Sequence, residues 1–109
     1  MDFLVEFEVD VPPGTSATEV EDRERAEAVA ATELVDEGHL LRVWKRRLST
    51  GETRVLGLYR AESEAELDVL LSALPLYDWM TVTVTGLERH PNDPAAAQDP
   101  GRRAAPSPS

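Results

Sequence analysis

The chain has 109 residues, 21 acidic and 11 basic, giving a formal charge of −10, and it contains no cysteine. One domain is expected at this length; the missing cysteines exclude disulfides, thiol nucleophiles and thiolate-bound metal, and His39 and His90 are too far apart for a zinc spacing. The acidic balance opposes binding to nucleic acid or to an anionic membrane surface, since phosphate contacts need a basic face.

Met1-Asp2-Phe3-Leu4-Val5-Glu6 has no basic region and too short an apolar run for a signal peptide, and no stretch approaches a membrane span. A cytoplasmic protein is expected, with its charge serving solubility. Phe3, Val5, Phe7, Val9 and Val11 alternate with acidic residues and predict a half-buried strand ended by Pro12-Pro13-Gly14. Ser16 or Thr18 caps a helix that runs to about Glu37, where Gly38 supplies the stop. A second strand is expected over about His39 to Leu48, then a turn at Ser49-Thr50-Gly51-Glu52 and a third strand from about Thr53 to Tyr59. Ser63 caps a second helix with Glu66 as its capping-box partner; Leu67, Leu70, Leu71 and Leu74 recur at helical spacing, and Pro75 ends it. The last strand, about Trp79 to Leu87, sets Met80, Val82 and Val84 against Thr81, Thr83 and Thr85.

The order β-α-β-β-α-β predicts an α+β, ferredoxin-like fold with two helices on one face of a four-stranded antiparallel sheet. The other face, expected to carry Trp44, Trp79 and the threonine row, needs a cover, and a second copy of the chain is the natural one, because a subunit this small buries only a modest core. The domain is assigned to residues 1–91. Residues 92–109 are rich in Pro and Ala, lack an apolar period and read as a disordered tail.

One residue does not suit its position. On a wheel of about 100° per residue, Val20, Ala31, Leu34 and Val35 define the buried stripe of the first helix, and Glu27 falls in its middle. A buried carboxylate must be paired, neutralised or placed in a polar cavity. One reading is an ion pair with Arg23, Arg42 or Arg54; another is a helix shifted so that Glu27 reaches water; the third is a general base whose pKa rises in a pocket between helix and sheet. Alternation on the second strand puts Lys45 and Arg47 on one face and Arg42, Trp44 and Arg46 on the other. A cation there suits a substrate carboxylate, although charge on an edge strand also discourages aggregation. His39 reads as a solvated strand-start residue and a secondary candidate base; Tyr59 and Tyr77 read as packing residues. No phosphate loop, nucleophile elbow or Ser-His-Asp set is present, which leaves cofactor-free proton transfer as the chemistry these residues support.

Several segments, in order and spacing along about 1–91, resemble the muconolactone isomerases: Phe3-Leu4-Val5, Glu27, Glu33-Leu34, Gly38-His39-Leu40-Leu41-Arg42-Val43-Trp44-Lys45, Glu66-Leu67, Leu74-Pro75-Leu76 and Val84-Thr85-Gly86-Leu87-Glu88-Arg89-His90-Pro91. The resemblance implies a ferredoxin-like subunit assembled into dimers and a decamer-like ring, with no metal and no organic cofactor. It implies conversion of muconolactone to 3-oxoadipate enol-lactone in the catechol branch of aromatic degradation (the β-ketoadipate pathway). A base removes the ring proton at the carbon bearing the carboxymethyl group, and the dienolate is reprotonated beside the lactone carbonyl. On this reading Glu27 is the base and His39 the second candidate, Arg42 or Lys45 holds the substrate carboxylate, and Trp44 and Trp79 wall the pocket. The chain departs from the family pattern at Val55, Asp68, Asp78 and Gly86, so the substrate is muconolactone or a related unsaturated lactone. An isomerase or cyclase of a biosynthetic pathway, and a non-catalytic oligomeric binding module, are the alternatives on the same scaffold.

Overall fold

Alternating apolar and acidic side chains make β1 (Asp2–Val9), in which Phe3, Val5 and Phe7 are buried. The computed structural model describes residues 1–95. Across them β1 is followed by α1 (Ala17–Asp36), β2 (Leu40–Arg47), β3 (Thr53–Arg60), α2 (Glu64–Ser72) and β4 (Met80–Leu87). The four strands form one antiparallel sheet in the order β2-β3-β1-β4. This is the expected ferredoxin-like βαββαβ fold, with both helices contributing to the core on one sheet face. Residues 96–109, most of the predicted tail, lie outside the described residues.

Local chemistry sets the element ends. Ser16, not Thr18, caps α1, its Oγ accepting from the Glu19 N–H at 3.1 Å. Gly38, at φ +80°, closes the helix: the His39 N–H reaches back to the Leu34 carbonyl and the Gly38 N–H to that of Val35, the paired bonds of a Schellman stop. Ser63 Oγ accepts from the Glu66 N–H at 3.1 Å, while the Glu66 carboxylate accepts from Glu62 at 3.2 Å, one residue earlier than the usual reciprocal box. Gly51 takes φ +90° in the hairpin between β2 and β3.

The register assigns the sheet faces. Phe3 pairs with Tyr59, Val5 with Gly57 and Phe7 with Val55; Leu40, Val43 and Lys45 extend that row onto β2, and Met80, Val82 and Val84 onto β4. Leu67, Leu71, Leu74 and Leu34 pack against this helix-side face. A bulge between Leu40 and Arg42 shifts the alternation of β2, putting Arg42, Trp44 and Arg46 on the opposite face with Leu56, Leu58 and the threonines. There Arg46 pairs with Glu6 at 2.8 Å, Arg54 with Glu8 at 3.3 Å and Arg60 with Asp2 at 2.9 Å.

Two sequence expectations need correction. Val35 is 53% exposed; it lies about 100° round the helix from Leu34, and the inward stripe is instead Val20, Arg23, Glu27, Ala30, Ala31 and Leu34. Trp79 is not on β4 or on the open sheet face. It ends a short 3-10 turn, Tyr77–Trp79, and is buried on the helix side. Once Pro75 has ended α2, the chain must turn before it can enter the sheet, and residues 77–79 are used for that turn.

Candidate active site

Arg23 and Glu27 are four residues apart on α1 and therefore share a face. Both reach the loop between α2 and β4. Arg23 Nη1 donates to the Pro75 carbonyl at 3.2 Å, and Glu27 Oε1 accepts from the Leu76 N–H at 3.0 Å. Those two groups are the two ends of one peptide unit. The helix therefore grips a single peptide plane from both sides, with a cation on its oxygen and an anion on its N–H. Arg23 also lies 4.3 Å above the Trp79 ring, a cation–π contact, and stands 3.8 Å from the exposed Glu19.

Glu27 has none of the ion-pair partners considered for it. Arg23 is engaged as above, Arg54 pairs with Glu8 and Glu52, and Arg42 lies over Trp44 at 5.6 Å. Burial pushes the Glu27 carboxyl above its ordinary pKa, and the Leu76 hydrogen bond opposes that only in part. A carboxylate with one oxygen tied to the backbone, no cation and a raised pKa is suited to take and return a proton.

Tyr59 occupies the sheet beneath this helix. Its ring meets Phe7 edge-on at 6.1 Å. It leans along β3 over Gly57, where an added Cβ would come within 2.5 Å of the ring. Burial, and next the charge of Glu27, push the Tyr59 hydroxyl up to about 12. Beyond Gly57 the helix-side face opens: Val43 is 57% and Val55 38% exposed although both belong to the core-facing row. This is the exposed end of the helix-side face, and Lys45 stands on it opposite Val55.

The predicted site residues therefore divide. Glu27 and Trp79 come together at the α1–loop contact, through Arg23. Lys45 shares the helix-side sheet face. Arg42 and Trp44 do not join them within one subunit, because the strand pairing places both on the opposite face. His39 is tied elsewhere: its Nδ1 lies 2.8 Å from the Arg60 carbonyl. A carbonyl only accepts, so Nδ1 is the donor in this contact. In the sequence Arg23 reads only as a possible ion-pair partner of Glu27, and Tyr59 as a packing residue. No three His, Asp or Glu side chains gather as metal ligands among the described residues, and no helix there is long and apolar enough to cross a membrane.

Comparison with known proteins gives one answer. The chain is 32% identical over 90 residues to a muconolactone delta-isomerase of Cupriavidus pinatubonensis, covering 83% of this chain and 95% of that one. It is 35% identical over 93 residues to muconolactone delta-isomerase 1 of Acinetobacter lwoffii, covering 83% and 91%. Among solved structures, a crystal structure of muconolactone isomerase superposes with a TM-score of 0.74 at 26% identity, covering 86% of this chain and 95% of that one. A 5-chloro-2-hydroxyhydroquinone dehydrochlorinase of Burkholderia phenoliruptrix shares the fold, with a TM-score of 0.59 at 15% identity over 83% of this chain and 96% of that one. The family model for muconolactone delta-isomerase matches residues 1–93, and the chain belongs to that family of intramolecular isomerases.

Proposed function

We propose that the protein is a cofactor-independent isomerase of an unsaturated lactone bearing a carboxymethyl arm, muconolactone or a close relative, with Glu27 as the proton-transferring base. The observation that carries this reading is the state of Glu27: inward on α1, without a cation, and aimed by the Leu76 N–H. Oε1 is held by the loop and Oε2 is left to face the substrate. The Glu27 carboxylate takes the ring proton beside the carboxymethyl group and returns it to the carbon next to the carbonyl, so the double bond moves and the base is regenerated. Arg23 grips the same Pro75–Leu76 peptide as that base, and Lys45 lies at the exposed end of the helix-side sheet face; these two, rather than Arg42, suit the substrate carboxylate. Trp79 backs Arg23. The acting unit is a homo-oligomer, at least a dimer, with a second copy on the open sheet face, where Trp44 is 42% exposed. A cytoplasmic place suits the chemistry.

The test is an ultraviolet assay of muconolactone turnover by the wild type and Glu27→Gln. Gln keeps the shape and the Leu76 hydrogen bond but cannot take a proton. Turnover falls by roughly 10²–10⁴ if Glu27 is the base. A stable Glu27→Gln protein with full activity moves the role to His39 Nε2.

A further inference from the structure

A buried tyrosine ordinarily finds a hydrogen-bond partner for its hydroxyl. Tyr59 is 4% exposed, yet among the described residues its hydroxyl takes part in no hydrogen bond, and it is not one of the residues with an interaction left undescribed. No buried side-chain nitrogen or oxygen among those residues is orphaned. The Tyr59 oxygen is therefore not sealed in the core but meets accessible space, while the ring around it is packed. Its aim is set by Gly57: the space a Cβ would fill is taken by the ring, so the ring lies between Val5 and Val43, the cross-strand neighbours of Gly57. That direction leads toward Phe7 and the open end of the row, on the face that α1 and Glu27 cover.

We infer that Tyr59 is a catalytic hydrogen-bond donor, its hydroxyl placed for the lactone carbonyl oxygen on which negative charge develops while Glu27 moves the proton. This rests on the lactone isomerase reading and adds to it the group that stabilises the intermediate. When Glu27 takes the ring proton, the electrons of that C–H bond shift through the ring and the carbonyl oxygen becomes an enolate oxygen. Tyr59 donates a hydrogen bond to that oxygen and keeps its own proton. The electrons return as Glu27 delivers the same proton to the carbon beside the carbonyl, and no further reactant is consumed. A donor of this kind must stay protonated when the base is ionised. Burial and the Glu27 charge secure this by holding the hydroxyl at about 12, so it remains a donor while the Glu27 carboxylate exchanges the proton. A donor prepositioned where charge appears is worth far more in a water-poor site than in bulk water.

Tyr59→Phe tests the hydroxyl alone, since the ring, its contact with Phe7 and its fit over Gly57 all remain. Muconolactone turnover is expected to fall about 10²–10³-fold. The melting temperature should hold, because the hydroxyl has no protein partner to lose. A second readout needs no turnover. The probe is 4-hydroxy-3-nitrophenylacetate, a ring with a carboxymethyl arm and a coloured phenolate that imitates the enolate. Bound to the wild type, its phenol should ionise at lower pH than when free; bound to Tyr59→Phe, that shift should disappear. Wild-type turnover by Tyr59→Phe, an unchanged probe shift in that variant, or a probe that does not bind the wild type at all each overturns the assignment. If muconolactone is not turned over even by the wild type, the substrate reading fails by itself, and the probe shift still decides the role of the hydroxyl.

Discussion

Replacing Gly57 with alanine isolates the packing that aims Tyr59. Gly57 has an ordinary strand backbone, so alanine meets no conformational penalty; in a strand interior the change alone stabilises by roughly 0.5–1 kcal/mol. Against that, the new Cβ would sit 2.5 Å from Tyr59 Cε1 and 3.2 Å from Cδ1. The ring has little room to yield, with Phe7 on one side and Val5, fully buried, across the strand. Overpacking of this kind costs about 1–3 kcal/mol, so the net loss should be about 1–2 kcal/mol. For a domain of this size that lowers Tm by roughly 4–8 °C per kcal/mol. Thermal melts of Gly57→Ala, Tyr59→Leu and the double variant complete a cycle. With the ring gone, Gly57→Ala should turn from destabilising to neutral or slightly stabilising. Turnover in Gly57→Ala should also fall, since the ring can relieve the clash only by carrying its hydroxyl away from its present position. An unchanged Tm in the single variant, or the same loss in the Tyr59→Leu background, refutes the steric reasoning.

The pH dependence of stability checks Glu27 separately. Its folded pKa is raised above 4.5, so its contribution to stability is fullest below that pH and is lost as pH rises through the raised value. Glu27→Gln should therefore match the wild type in melts near pH 4 and exceed it at pH 7; a variant less stable at pH 7 would reveal a lost ion pair instead. Arg23→Met should raise KM for a carboxymethyl lactone tenfold or more with a smaller effect on kcat, and it should cost about 1–2 kcal/mol through the Pro75 bond and the Trp79 face; an unchanged KM excludes it as the carboxylate anchor. Light scattering should give at least a dimer at micromolar concentration, with Trp44→Lys shifting the mass toward the monomer. A wild-type monomer would show that the open sheet face needs no cover.

Signals carried by local chemistry were legible in the chain. The β1 alternation, the Ser16 and Ser63 caps, Gly38, Gly51 and the leucines of α2 each act within a few residues, and together they specify the element order. Glu27 was visible for the same reason, as a charged residue in the middle of an apolar period. The rest depends on what crosses from one element to another. Trp79 looked like the start of a strand because its turn is dictated by how α2 must connect to the sheet, not by its own neighbours. Arg42 and Lys45 were correctly assigned to opposite faces, but which face the helices cover is settled only by the pairing with β3 and β1. Tyr59 looked like packing because packing is what most of its ring does. The idle hydroxyl emerges from three separate elements: Gly57 beside it, Phe7 across the sheet and Glu27 above.

The grip of α1 on the Pro75–Leu76 peptide bears on how such a site can diverge. Glu27 is oriented by a main-chain N–H, and Arg23 is oriented in part by a main-chain carbonyl. Neither anchor depends on which side chains the loop carries, provided that its backbone path is kept. The exposed positions just beyond, Tyr77 and Asp78, can therefore change while the Glu27 carboxylate keeps its aim. Such a division lets the loop's side chains vary without disturbing the orientation of Glu27 or Arg23.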